Sequence, residues 1–479
     1  MVMSKVKSIC TKPAGKASSG LLAILAVASI VPLFFFPFTS EATYRQVYVA
    51  CYLLFIIEEL CCYELYSKGD PSYSPFYFFS LTYVFMYSIC PMYDIVRHEY
   101  LWFGYNVFDS GVSATVIAII GYLAFYLAYR NTNKDTRRQD DRPAGQPIYR
   151  SRTRFNFNIV IISIWLFCLA ANLFYMVAAG GNSILYCLTL GILGDGGGET
   201  SSVSLGFISM FSYALPAATL LYCEYGKANW PIKAAMIYIM LALQVSRGFR
   251  FIVIQIVVML FFYYRIRRGK YPNAGICVAV ILFLLTSLLI MTMFRTSIRA
   301  GAGIDFSSVS GNALSDAFDD MFWENLRIYR NYYGMVDVIP SRFPFCYADE
   351  VIIGTAVMLV PRIIWPNKPS MYGGEGLTTL IGPGIASGQA YPALGEYYYA
   401  LGPIAVVAFM ALFGWWMRRS YQRYALSSNP LDNIVYVVYA SSTLQLIIRG
   451  YMPSNFWFVI FAVLPIIIMK FIFGKIEID

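Results

Sequence analysis

Runs of about 20 apolar residues recur along almost the whole chain, and nothing else in the sequence constrains its fold as strongly. That length is what an α-helix needs to cross the hydrocarbon core of a bilayer. Twelve such stretches can be counted, over roughly 20–39, 45–63, 74–93, 112–130, 157–179, 203–223, 231–246, 248–265, 273–294, 392–417, 432–448 and 455–473. In lipid every backbone N–H and C=O needs an internal partner, so such stretches fold as helices. The expected fold is all-α: a polytopic bundle of about 12 transmembrane helices in one integral membrane domain, 1–479. Charge agrees, because only 13% of residues are charged where a soluble protein carries roughly 25%. A cytosolic globular enzyme, a secreted disulfide scaffold and a disordered regulator are excluded on that ground.

Lys5, Lys7, Lys12 and Lys16 precede the first run in the manner of a signal peptide, and Ala26-Val27-Ala28 resembles a cleavage site. The apolar run continues to Phe38, however, which favours an uncleaved first span. Basic clusters then set the orientation. Arg137, Arg138, Arg142, Arg150, Arg152 and Arg154 fall in a polar linker at 131–156, Arg265, Arg267 and Arg268 in 266–272 or beside it, and Arg418, Arg419 and Arg423 in 418–431. With both termini cytoplasmic, every one of these clusters lies inside, as the positive-inside rule requires. The net charge of +9 is thus accounted for by loops, and no nucleic-acid partner is expected.

The same orientation puts one large loop, 295–391, outside. Phe318, Phe322, Leu326, Tyr329, Tyr333 and Val336 recur at three- or four-residue spacing, which predicts an amphipathic helix over Asp316–Val338 ended by Pro340. Asp319, Asp320, Glu324, Arg327 and Arg330 form its polar face. The run Val351–Ile364 is too short to span and is expected to be re-entrant or to lie along the surface. A glycine-rich stretch follows from Tyr372 to Gln389; it lacks Gly-Lys-Ser/Thr and is not a P-loop. The chain has one histidine, His98, and its cysteines sit mostly in or beside apolar runs, so no metal site and no cofactor is expected.

The residues that invite a chemical reading are cations on the outer side. Arg247 and Arg250 flank the turn between two spans, Arg295 and Arg299 leave the ninth span four residues apart, and Arg362 and Lys368 follow in Pro361–Pro369. Six cations against the positive-inside bias need something to hold them. A lipid-linked phosphate or pyrophosphate is the natural ligand, because the guanidinium fork binds phosphate oxygens bidentately. Snorkelling to headgroups, or pairing with acids of the same loop, is the simpler reading of any one of them. Glu396 opens the tenth span at its outer end, where a helix N-terminus favours a carboxylate and where it could also take a proton from a sugar hydroxyl. Asp349 and Glu350 are alternatives for that role. Glu58 and Glu59 lie deeper, where ion coupling competes with the plainer expectation of an interhelical partner or snorkelling.

Taken together, the many spans, the large outer loop before the last of them, Ser246-Arg247-Gly248, Pro361–Pro369, Gly395-Glu396 and the ten-residue spacing between Arg362 and Gly373 resemble the Wzy-type polymerases of O-antigen, capsule and exopolysaccharide repeat units. The resemblance implies a GT-C-like membrane glycosyltransferase, independent of metal, in the bacterial plasma membrane. Its substrates would be undecaprenyl-pyrophosphate-linked oligosaccharides as donor and acceptor, with membrane lipids around it and a chain-length regulator as a candidate partner. Glu396, Arg295 and Arg299 would be catalytic, while Arg247, Arg250, Arg362 and Lys368 would bind the lipid pyrophosphate. An O-antigen ligase would share the architecture but usually places a histidine in the large loop, and 295–391 contains none. A flippase or exporter is the non-enzymatic rival; Glu58-Glu59 favours it, whereas the long loop and the lack of an internal repeat do not.

Overall fold

A computed structural model of the chain describes residues 30–32, 41–71, 74–132, 156–179, 181–189, 206–247, 250–268, 272–294, 314–318, 327–347, 349–360, 364–365, 367, 381, 390–425, 427 and 429–473. Helices dominate these residues. In chain order they are α1 (Ala42–Ser67), α2 (Pro75–Val96), α3 (Gly111–Asn131), α4 (Phe157–Ala178), α5 (Ile184–Leu188), α6 (Phe211–Tyr225), α7 (Trp230–Ser246) and α8 (Arg250–Arg268). Then come α9 (Ala274–Met293), α10 (Tyr329–Val338), α11 (Asp349–Val357), α12 (Ala393–Ser420), α13 (Pro430–Ile448) and α14 (Met452–Phe473). A two-stranded hairpin joins α2 to α3, with β1 (Leu101–Trp102) antiparallel to β2 (Tyr105–Asn106).

Among the described residues eight helices are long and apolar enough to cross a membrane: α1, α2, α3, α4, α9, α12, α13 and α14. That differs from the twelve counted in the sequence. The first expected span, 20–39, lies almost wholly outside the described residues. Those expected at 203–223, 231–246 and 248–265 are helical but shorter. The stretch at 203–223 holds the short helix Gly206–Ser209 and then α6, of 15 residues, and α7 has 17, reaching about 26 Å at 1.5 Å per residue against a core of about 30 Å. In α8 the apolar portion is only Phe251–Ile266, because arginines occupy both ends.

Two apolar cores organise the bundle. The first joins α1, α2, α3, α10 and α12; the second joins α4, α6, α7, α8, α13 and α14. Helices α3 and α12 run parallel in close contact. A Cβ on Gly414 would lie 2.3 Å from the Phe125 carbonyl oxygen, so only glycine permits this approach. Gly414→Ala is expected to lower the melting temperature and the yield of monodisperse protein, since overpacking a tight contact costs about 1–3 kcal/mol. An unchanged melting curve would mean that α3 and α12 separate freely.

The ends of the bundle differ in chemistry. At one end Arg130 meets Glu64 at 3.2 Å and Arg418 meets Asp70 at 2.5 Å, and Lys470 pairs with Asp432. The segments that leave there are those after α3 and after α12, which carry the basic clusters. At the other end lie the hairpin and α10. Tyr332 donates to the Ala114 carbonyl at 2.8 Å, the Tyr333 hydroxyl meets Thr115 at 2.7 Å, and Ser110 donates to the Tyr333 carbonyl at 2.7 Å. The connection between α2 and α3 and part of the large loop therefore occupy one and the same end.

Of the amphipathic helix expected over Asp316–Val338, the described residues include α10, which is buried except at Asp337, with Arg330 at 4% exposure and Asn331 at 1%. Residues 314–318 form a separate helical turn, and 319–326 lie outside the described residues. Its polar positions are buried because other parts of the chain supply partners for them. Helix α11, at the start of the expected short apolar run, packs against α14; the Trp457 indole donates to the Thr355 carbonyl at 2.8 Å, while Ile352 and Ile353 face outward.

Candidate functional site

Glu396 sits in the first turn of α12, at the end of the bundle where α10 packs. Helix α12 starts after Pro392 and breaks at Leu401–Gly402, where Gly402 takes φ +63° and Pro403 follows. The Tyr399 carbonyl freed near that break accepts the Cys346 N–H at 3.0 Å. The first turn is thereby tied to the chain that follows α10; Tyr398 adds a hydrogen bond to the Ile339 carbonyl at 3.0 Å.

The Glu396 carboxylate is 5% exposed, and both its oxygens accept from the Met452 N–H, at 2.8 and 2.7 Å. Met452 opens α14, so the carboxylate meets an orphan N–H at a helix N-terminus. The chain just before Met452 is tightly shaped. Tyr451 has φ +71°, Gly450 donates to the Tyr391 carbonyl at 2.6 Å, and the Asn455 amide donates to the Arg449 carbonyl at 2.7 Å. A Cβ on Gly450 would fall 2.3 Å from the Tyr391 ring. Segments 390–396 and 449–455 are thus interlocked, and they carry two charged residues, Glu396 and Arg449.

The expected cations are placed less completely. Arg247 ends α7; its guanidinium donates to the Ser209 carbonyl at 3.4 Å and lies 5.6 Å from the Tyr175 ring centre. Arg250 opens α8, with its side chain outside the described residues, as are Arg295, Arg299, Arg362 and Lys368. Helix α8 is antiparallel to α13, with Gln255 bonded to Ser442 at 3.2 Å and Phe262 against Tyr436. The start of α8 therefore lies toward the end of α13 that leads to Gly450 and Met452. Arg247 and Glu396 share that end of the bundle, but they belong to different cores.

Of the other acids, Asp349 is exposed at the start of α11, and the Glu350 side chain lies outside the described residues. Glu58 is buried in α1 at 1% exposure, and neither of its oxygens accepts a hydrogen bond. The expected interhelical partner is absent among the described residues, and burial excludes snorkelling. Among the described residues no group of three or more His, Cys, Asp or Glu could hold a metal ion.

One constellation was not anticipated. Asp94, fully buried at the end of α2, accepts Arg327 at 3.0 Å on one oxygen and Arg330 at 2.6 Å on the other. Glu99, after α2, takes the same two arginines at 2.6 and 3.1 Å. Tyr329 also donates to Asp94, at 2.6 Å, and the Arg330 guanidinium lies 5.2 Å from the Trp102 ring centre. Burial, reinforced by the Asp94 charge, pushes the Tyr329 phenol well above its usual value. Burial works against the Arg330 charge, but Tyr329 and Asp94 more than offset it and hold the guanidinium protonated. An acid closing an apolar run was the one readable signal; its partners, 233 and 236 residues away, had none. Trp102 and Tyr105 of the hairpin bond to Asn331 and Asp337, so α10 is gripped along its length. Four non-glycine residues have positive φ among the described residues: His98 and Phe103 between α2 and α3, Tyr347 between α10 and α11, and Tyr451 between α13 and α14; such outliers gather at functional sites.

The family model described as O-antigen polysaccharide polymerase Wzy matches residues 24–476. No curated protein and no solved structure matches the chain.

Proposed function

The chain belongs to the family of O-antigen polysaccharide polymerases of the Wzy type, and from that membership we propose that it joins undecaprenyl-pyrophosphate-linked oligosaccharide repeat units into a surface polysaccharide at the outer face of the bacterial plasma membrane. The family match over nearly the whole chain carries the reading, and a helical bundle with eight helices able to cross a membrane accords with it. A hydroxyl at the non-reducing end of the incoming unit attacks the anomeric carbon of the growing glycan. The bond from that carbon to the pyrophosphate oxygen breaks, and its electron pair leaves with the undecaprenyl pyrophosphate. Glu396 accepts the hydroxyl proton. Arg295 and Arg299 stabilise the charge that develops on the leaving group, and Arg247, Arg250, Arg362 and Lys368 hold its phosphates. The leaving group is already activated, so the step needs neither a nucleotide sugar nor a protein-bound metal. A chain-length regulator acting on the same nascent glycan is the further partner this reading expects.

The test is reconstitution. Purified protein in nanodiscs, given one lipid-linked repeat unit, is expected to yield a ladder of longer lipid-linked glycans on a gel. Transfer of a single glycan to a separate acceptor, with no ladder, would replace polymerase by ligase. Unchanged glycan length with movement across the bilayer would replace it by flippase.

A further inference from the structure

Helix α10 is the physical link between the buried ion cluster and Glu396. Its N-terminal half carries Tyr329 and Arg330, which with Arg327 bind Asp94 and Glu99. In its C-terminal half Met335, fully buried, faces Gly395, where an added Cβ would lie 2.9 Å from the methionine sulfur. Gly395 directly precedes Glu396. Just beyond the helix the Ile339 carbonyl takes the Tyr398 hydroxyl, two residues after Glu396. A displacement of α10 is therefore felt on both sides of the carboxylate.

We propose that Asp94 and Glu99 are positioning residues: they dock the Arg327–Arg330 end of α10 and thereby set the place of the Glu396 turn. The proposal rests on the polymerase reading for its activity readout but not for the docking itself. The cluster balances two acids against two arginines, and its core is almost closed to solvent, with Asp94 at 0% and Arg330 at 5% side-chain exposure. In such a place loss of one partner leaves a buried charge uncompensated, whereas removal of one acid and one base together does not. Arg327 and Glu99 still pair when Asp94 and Arg330 are both neutral.

The experiment compares Asp94→Asn, Arg330→Gln and the double variant, with the ladder rate measured per folded molecule at saturating lipid-linked substrate. Each single variant is expected to lose about tenfold in that rate and the double to recover most of it, the behaviour of directly coupled residues. The substrate concentration for half-maximal rate should stay unchanged. A purely structural role would lower the yield of folded protein and leave the rate per molecule alone, and that result would overturn the proposal. A second readout is independent of activity. In a cysteine-depleted background, the thiol introduced by Met335→Cys should resist a membrane-impermeant maleimide, and adding Asp94→Asn should make it reactive. A thiol that stays hidden would also overturn the proposal. A thiol that becomes reactive only with Asp94→Asn, in a protein whose unmodified form makes no ladder, would sink the polymerase reading and uphold the docking contact.

Discussion

Glu396→Gln is expected to stay folded and to lose chain extension by about 10²–10⁴-fold, the range a positioned base contributes. The prediction is sharp because the proposed base role is separable from the observed contact with α14. Its oxygens accept the Met452 N–H, and a glutamine carbonyl oxygen can accept the same bond. An amide cannot take up a proton at neutral pH, so the base is lost while the tie to α14 persists. Glu396→Ala removes both and should also cost stability, since a hydrogen bond to a charged group contributes about 1.5–3 kcal/mol. Donor binding should survive in the glutamine variant. If the glutamine variant makes normal ladders while the alanine variant melts early, Glu396 is an anchor for α14 and nothing more. The proton then goes to Asp349, Glu350 or no protein base at all.

Arg295→Ala and Arg299→Ala should each lower the rate of extension by about 10²-fold or more, the effect of deleting one group aimed at developing charge. On the proposed mechanism the leaving group would depart as an anion, and a fixed guanidinium in a site of low dielectric would stabilise it without reorganising. Lysine should rescue poorly, because a point charge does not reproduce the two parallel bonds of the fork. Both residues lie just beyond the end of α9 in sequence, four positions apart. Chain-length ladders from membranes expressing each variant, normalised to protein level, give the measurement. Normal ladders for both alanine variants would return these arginines to headgroup snorkelling.

Among the described residues the bounds of the apolar helices were legible in the sequence: the run at 231–246 is α7, Trp230–Ser246, and the run at 432–448 is α13, Pro430–Ile448. What an apolar run did not reveal is whether it makes one continuous helix of spanning length: 203–223 holds the short helix Gly206–Ser209 and then α6, and arginines bound the apolar part of α8. The Asp316–Val338 pattern showed the same gap. Its spacing predicted a helix, but not the partners that its polar positions meet. In the folded chain those positions meet Asp94, Glu99, Trp102 and the Ala390 carbonyl.

Apolar run length and the placement of Lys and Arg are local quantities, and by themselves they determined a helical membrane protein with its basic loops at one end. Glu396, too, could be found from its place at the start of an apolar run. What that carboxylate touches was decided only in three dimensions, because Met452 reaches it from 56 residues away. The docking of α10 was decided in the same way. Burying an arginine is costly unless an acid meets it, and which acid does so depends on the packing of α2 against α10, 236 residues apart in sequence. Local patterns report what a segment can become; long-range packing decides which charges are buried and with whom.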